Sequence, residues 1–174
     1  MIYLAADHRG FKLKEAIKKA LIKRGAAVDP VRSQTPQASA SPLADSTSNG
    51  VEDMGALAYD AADDYVDFAV AAARKIAENP SVHKGIFICG SGHGVDMVAN
   101  KFRGVRAALC WNTREAEQSR RDDDANVLVL AADACDDAQA KEIVSVWLGT
   151  TFSGEDRHIR RLQKVEEIER KNFN

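Results

Sequence analysis

Cysteine is scarce in this chain. Only three occur in 174 residues, and Cys89, Cys110 and Cys135 show no C-x-x-C spacing. An odd number without paired spacing excludes a disulfide framework and a structural zinc site. An excess of either charge is also missing. The count is 24 Lys+Arg against 26 Asp+Glu, a net charge of −2, whereas nucleic acid or an anionic membrane as principal partner calls for a basic surplus. No apolar run approaches the roughly 18 residues of a membrane span. The first residues reach Asp7 and His8 too early for a secretory apolar region. Proline is rare, and three of its four copies fall within Pro30–Gly50, beside five Ser and two Thr. What is present is ordinary: 45 % apolar and 29 % charged residues, the makeup of a water-soluble globule. The length suits one domain over 1–174 at about 150 residues per domain, and the expected location is the cytoplasm.

Five short apolar runs alternate with helix-like stretches: Ile2–Ala6, Ala26–Val31, Gly85–Cys89, Arg106–Cys110 and Asn126–Leu130. Leu13, Ile17, Ala20 and Leu21 recur at helical spacing before Gly25, a natural C-terminal stop. Helices are also expected at Tyr65–Ala77, with Asp63-Asp64 at its start, and at Val95–Lys101 and Thr113–Arg121. Ala140, Ile143, Val144, Trp147 and Leu148 stripe a fifth helix closed by Gly149, and Ile159, Leu162, Val165 and Ile168 a last one with no strand after it. Strands that alternate with helices and are apolar throughout belong to a parallel sheet covered on both faces. The expectation is a Rossmann-like, doubly wound α/β domain with a five-stranded parallel sheet and an extra C-terminal helix. The stretch 30–53 reads as an inserted surface loop. An insertion without function is the plainer account of it, and a lid over the site the other.

Ligands of open α/β sheets bind outside the carboxyl ends of the strands. Ala6-Asp7-His8-Arg9-Gly10 follows the first strand, and Cys89-Gly90-Ser91-Gly92-His93-Gly94 joins the third to a helix. Glycines there let the backbone approach a ligand, and N–H groups at a helix start favour an anion. The spacing is G-x-G-x-G after the third strand, so the dinucleotide fingerprint is not matched. A thiol at such a strand end is placed where thiolate is favoured, which suits a nucleophile or a proton-abstracting base. Each feature also has a plain structural account: a tight connection for the glycines, core packing for Cys89, and a satisfied histidine for His8. Asp122-Asp123-Asp124 precedes the last strand and so belongs to the opposite edge. Arg157 and Arg161 lie four apart on one helix face, either as a phosphate grip or as a solvated basic turn.

Taken in order, A-A-D-H-R-G-F-K-L-K at 5–14, G-A-L-A-Y-D-A-A-D-D-Y at 55–65, G-I-F-I-C-G-S-G-H-G-V-D-M-V-A-N-K at 85–101, G-V-R-A-A-L at 104–109, A-N-V-L-V-L at 125–130 and R-H-I-R-R at 157–161 resemble the type B ribose-5-phosphate isomerases. That group also includes galactose-6-phosphate isomerase subunits. The resemblance covers nearly the whole chain apart from 30–53. It implies interconversion of an aldose and a ketose phosphate, ribose 5-phosphate and ribulose 5-phosphate being the first pair to consider, with neither metal nor organic cofactor. It also implies a homodimer with its site between subunits, and ring opening followed by proton transfer through an enediolate. One branch has a Cys base at the position of Cys89 and another a Glu at the position of Val95, so Cys89 is implied as the base here. Asp7 and His8 would hold substrate, Tyr65 would line the pocket, Gly90, Ser91, Gly92, His93 and Gly94 would present amides, and Arg157 and Arg161 would hold the phosphate. In two places the chain departs from this pattern. Asp122-Asp123 replaces a His-Asn pair whose His opens the sugar ring, leaving Asp122 or His93 for that task, and Asp133 replaces a substrate-binding Arg. Carboxylates near a phosphate repel it, so an altered sugar substrate is a second expectation. A non-catalytic sugar-phosphate-binding or structural dimer is the alternative from another class.

Overall fold

The computed structural model describes residues 1–25, 28–29 and 50–172. Among the described residues, six parallel strands, β1 (Ile2–Ala6), β2 (Val28–Asp29), β3 (Val51–Asp53), β4 (Lys84–Cys89), β5 (Ala107–Leu109) and β6 (Val127–Ala131), are interspersed with α1 (Phe11–Lys23), α2 (Tyr65–Glu78), α3 (His93–Ala99), α4 (Thr113–Arg121) and α5 (Asp137–Gly149), one helix following each strand except β2. A final helix, α6 (Asp156–Asn172), follows α5 with no strand between. The doubly wound parallel class and the extra C-terminal helix are therefore as expected. One strand joins the five foreseen. Val51–Asp53 closes the stretch read as a loop over 30–53, and it pairs with both β1 and β2. Most of that stretch, residues 30–49, lies outside the described residues. A three-residue strand with a charged centre, V-E-D, gives too short a pattern to register as an apolar run.

The sheet order is β2-β3-β1-β4-β6-β5. From β1 the chain crosses to the edge strand β2 and comes back to β3 beside β1; β4 then adds to the other side of β1, and the chain crosses to the far edge at β5 before returning to β6. The order therefore reverses between β1 and β4, where the two strands leave a crevice at their carboxyl ends. Alternate side chains of each strand enter different cores. Leu4, Ile86, Ile88, Leu128 and Leu130 pack with Leu13, Ile17, Ile143 and Trp147 of α1 and α5. Tyr3, Ala5, Phe87, Val127 and Val129 pack with Ala69, Ala72, Ala73 and Ile76 of α2 and with Val95 of α3. Burial on both faces is why the strands carry no polar alternation.

A charged cluster sits inside this frame. Lys14 is fully buried, and its Nζ lies 2.5 Å from Asp53 Oδ2, which also takes Lys18 Nζ at 2.6 Å. Burial opposes both charges, but Lys18 and Lys14 hold the Glu15 carboxyl below its ordinary value, and Asp53 and Glu15 hold Lys18 above its own. Removing one partner of a buried pair leaves the other uncompensated, at a cost of roughly 3–5 kcal/mol. Lys14→Ala is expected to fall near the low end of that range, because Lys18 still reaches Asp53, and urea unfolding would measure it.

Candidate active site

Strand register builds the site. Ala6 pairs with Ile88 and Cys89 with Ala131, so the chain leaves the sheet side by side at Asp7 and Cys89, with Asp133 two residues beyond β6. Gly10 turns the first exit back into α1. A Cβ there would come within 2.5 Å of the Ile88 carbonyl oxygen, so only glycine lets the two strand exits approach this closely. The Asp7 carboxylate is buried and accepts the Gly10 N–H at 2.9 Å. Cys89 is buried at the top of the α2–α3 core, and the turn after it is exposed at Ser91 and His93. Gly92, at φ +79°, starts α3 in the left-handed region that favours glycine. Tyr65, the first residue of α2, lays its ring on Gly94, where a Cβ would meet it at 2.6 Å. Asp7, His8, Tyr65, Cys89, the glycine turn and Asp133 thus share the β1–β4 switch point.

Two residues of this edge are absent from the sequence-based set. Beyond β3 the chain keeps pairing with β1, through Ala6 N–H to the Gly55 carbonyl at 2.8 Å and Ala56 N–H to the Ala6 carbonyl at 2.6 Å. That pairing carries 55–64 over His8. Asp63 Oδ1 there accepts the His8 backbone N–H at 2.9 Å and lies 2.7 Å from His8 Nδ1. The signal was available in Asp63-Asp64, two acids where one cap suffices: Asp64 alone caps α2, accepting the Val66 N–H at 3.1 Å. Arg9 left no such signal. Its guanidinium lies over Gly90 and is ion-paired with Asp133. The Asp133 carboxylate is thus held by a guanidinium from the turn between β1 and α1. Arg9→Ala is expected to leave folding intact, because both partners of the pair are about half exposed and such pairs contribute about 0–1 kcal/mol. It would free Asp133 to repel anionic ligands, and isothermal calorimetry with a sugar phosphate should show the affinity fall.

On the other edge of the sheet lie the remaining candidates. Asp122 ends α4 before β6, bonded to Arg121 Nε at 2.9 Å and 3.6 Å from the buried His158 of α6. Its Arg121 bond, with further help from His158 and Arg157, holds the Asp122 carboxyl below the usual range. It can accept a proton there but carries none to give. Asp123 lines a groove of about 450 Å³ between β5 and α6, with Leu162, Val165 and Ile168 on its far wall. Asp124 is structural, paired with Arg106 at 2.8 Å and Arg120 at 2.7 Å. Arg157 opens α6 beside Glu155 at 2.8 Å, and Arg161 follows one turn later, exposed. Within one chain, then, Asp122, Asp123, Arg157 and Arg161 are not brought to Cys89. Inside a single chain, Asp133 alone of Asp122, Asp123 and Asp133 stands at the Cys89 edge.

The ribose/galactose isomerase family model matches residues 41–165. The chain belongs to that family. It is 37 % identical over 169 residues to the probable ribose-5-phosphate isomerase B of Mycoplasma genitalium, covering 97 % of this chain and 95 % of that protein. The ribose-5-phosphate isomerase B of Mycobacterium tuberculosis is 34 % identical, with 97 % and 90 % covered. Among solved structures, the Mycoplasma genitalium enzyme with bound ribulose-5-phosphate superposes with a TM-score of 0.81 at 36 % identity, covering 97 % of this chain and 95 % of that one. The Clostridium thermocellum enzyme gives 0.80 at 34 %, with 98 % and 97 % covered. Among the described residues, no helix of this family member is long and apolar enough to cross a membrane.

Proposed function

We infer that this family member is an aldose–ketose isomerase acting on a sugar phosphate, with ribose 5-phosphate and ribulose 5-phosphate as its pair. The observation that carries this reading is Cys89, set at the end of β4 between Asp7 and the glycine turn at the switch point of the sheet. In the open-chain aldose the Cys89 thiolate takes the C2 proton. The electron pair moves through C1 to O1, and the resulting enediolate is met by backbone N–H groups of the Gly90–Gly94 turn. Return of that proton from Cys89 to C1, with the O2 proton passing to O1, gives the ketose. A preorganised donor at a developing oxyanion is worth about 3 kcal/mol of barrier. No metal or organic cofactor takes part in these steps, so activity is expected to survive dialysis against a chelator.

The phosphate is held by Arg157 and Arg161. Because they stand on the edge opposite Cys89, the working unit is a homodimer in which α6 of one subunit completes the site of its partner. The reading is tested by screening purified protein against pentose and hexose phosphates and free sugars. Conversion of ribose 5-phosphate is expected. A preference for another sugar phosphate would move the substrate, as the acids at Asp122 and Asp123 favour. Binding without turnover of any of them would leave a sugar-phosphate-binding dimer.

A further inference from the structure

Asp63 buries a carboxylate at the edge of the site, and among the described residues its only partner is His8. Oδ1 takes both the backbone N–H and Nδ1 of His8, while Oδ2 is buried without a hydrogen-bond partner. Leaving half of a carboxylate buried and unpaired destabilises the fold. A cap for α2 does not account for that cost, since Asp64 supplies one. What the arrangement does achieve is control of the imidazole. A carboxylate accepts, so Nδ1 carries the hydrogen and Nε2 is left with its lone pair. Tyr59 meets the same ring edge-on, with centroids 6.4 Å apart.

From this geometry we propose that His8 is the proton shuttle that opens the sugar ring, with Asp63 as its positioning residue. The assignment rests on the isomerase reading above. A five-membered aldose ring is a hemiacetal, and opening it needs a proton moved from O1 to O4, both attached to C1. Nε2 takes the O1 proton as the C1–O1 double bond forms and the C1–O4 pair departs to O4. The imidazolium then returns the same proton to O4, so atoms and charge balance without a co-reactant. Throughout, Nδ1–H stays on Asp63, whose negative charge lies against the ring while it holds the extra proton. His8 shares the β1–β4 edge with Cys89, so ring opening and C2 deprotonation take place on the same bound sugar.

A ketose phosphorylated at O5 cannot close a five-membered ring, so the two steps separate cleanly. Deuterium exchange at C1 of ribulose 5-phosphate in heavy water, followed by proton NMR, reports the enediolate step alone. Turnover of ribose 5-phosphate reports that step together with ring opening. His8→Asn keeps an amide N–H toward Asp63 and removes Nε2. It is expected to slow aldose turnover about a hundredfold, while exchange at saturating ketose stays within a few-fold of wild type. Asp63→Asn, which keeps the shape and removes the charge, is expected to show the same split with a smaller fall in kcat and little change in KM. Equal losses in both measurements for both variants would overturn the assignment and leave His8 as a binding or folding residue. Unchanged aldose turnover in His8→Asn would overturn it as well. Wild-type protein inactive in both assays would overturn the isomerase reading itself, and this assignment with it.

Discussion

Cys89→Ser is expected to lower isomerisation by about two to four orders of magnitude, the range a positioned general base contributes. A serine hydroxyl keeps the shape of the thiol but stays protonated at neutral pH, so it cannot take the C2 proton. Deuterium exchange at C1 of the ketose should be lost in parallel, because both directions pass through the same enediolate. The fold tolerates the change. Cys89 lies at the margin of its core, and one buried hydroxyl costs about 1–3 kcal/mol, so the variant should melt cooperatively and still bind sugar phosphate. Cys89→Ala gives the same test without the added hydroxyl. The other two thiols serve as internal controls. Burial pushes the Cys110 thiol up to about 11, and its Sγ is 3.8 Å from Ser119 Oγ in the other core. Cys135 is pushed up by burial and by Asp136 and Asp137, and its Sγ is 3.2 Å from the Ala131 carbonyl. Neither thiol is poised to act as a base, so Cys110→Ser and Cys135→Ser should keep most of the activity. Equal sensitivity at all three positions would point to packing and end the assignment of Cys89.

How far the sequence foretells this arrangement depends on what each residue's neighbours share with it. The strands were legible because burial on both faces leaves only apolar residues in Ile2–Ala6, Gly85–Cys89 and Val127–Ala131, and their alternation with helices leaves few topologies. From that topology the crevice follows, and so do Asp7, His8 and Cys89 within it. Val51–Asp53 was not legible: a strand this short is held by its partners β1 and β2 rather than by its own pattern. Arg9 and Asp63 were missed for a related reason. Each acts through a partner distant in sequence, Arg9 through Asp133 and Asp63 through His8, and no local spacing announces such a pair. Asp122 and Arg157 were recognisable as residues but not as neighbours of anything. Asp122 stands on the edge away from Cys89 because it precedes β6, and Arg157 joins it there because the chain just ahead of α6 closes on the end of α4, with the Ser153 N–H meeting the Arg121 carbonyl at 2.9 Å.

That separation supports the second large prediction. Arg157→Ala with Arg161→Ala is expected to weaken binding of phosphorylated sugars about a hundredfold, since each charge-assisted hydrogen bond contributes roughly 1.5–3 kcal/mol. Both side chains are exposed on α6, so stability should barely change, and a sugar lacking phosphate should be affected far less. The decisive arm combines Cys89→Ser with the double-arginine variant, at a substrate level low enough that neither turns over appreciably alone. In a two-fold dimer, Cys89→Ser contributes intact arginines and the double-arginine variant contributes an intact Cys89. If each site takes Cys89 from one subunit and Arg157 and Arg161 from the other, every mixed dimer rebuilds one complete site and one doubly defective one. Unfolding and refolding equal amounts of the two variants together makes half the dimers mixed, so about a quarter of the wild-type rate should return. Were the arginines to serve the Cys89 of their own chain, each site in the mixed dimer would carry one defect and no activity would return. A refolded mixture that stays inactive, while co-refolded wild type recovers, would therefore overturn the shared site even if the double-arginine variant binds as weakly as expected.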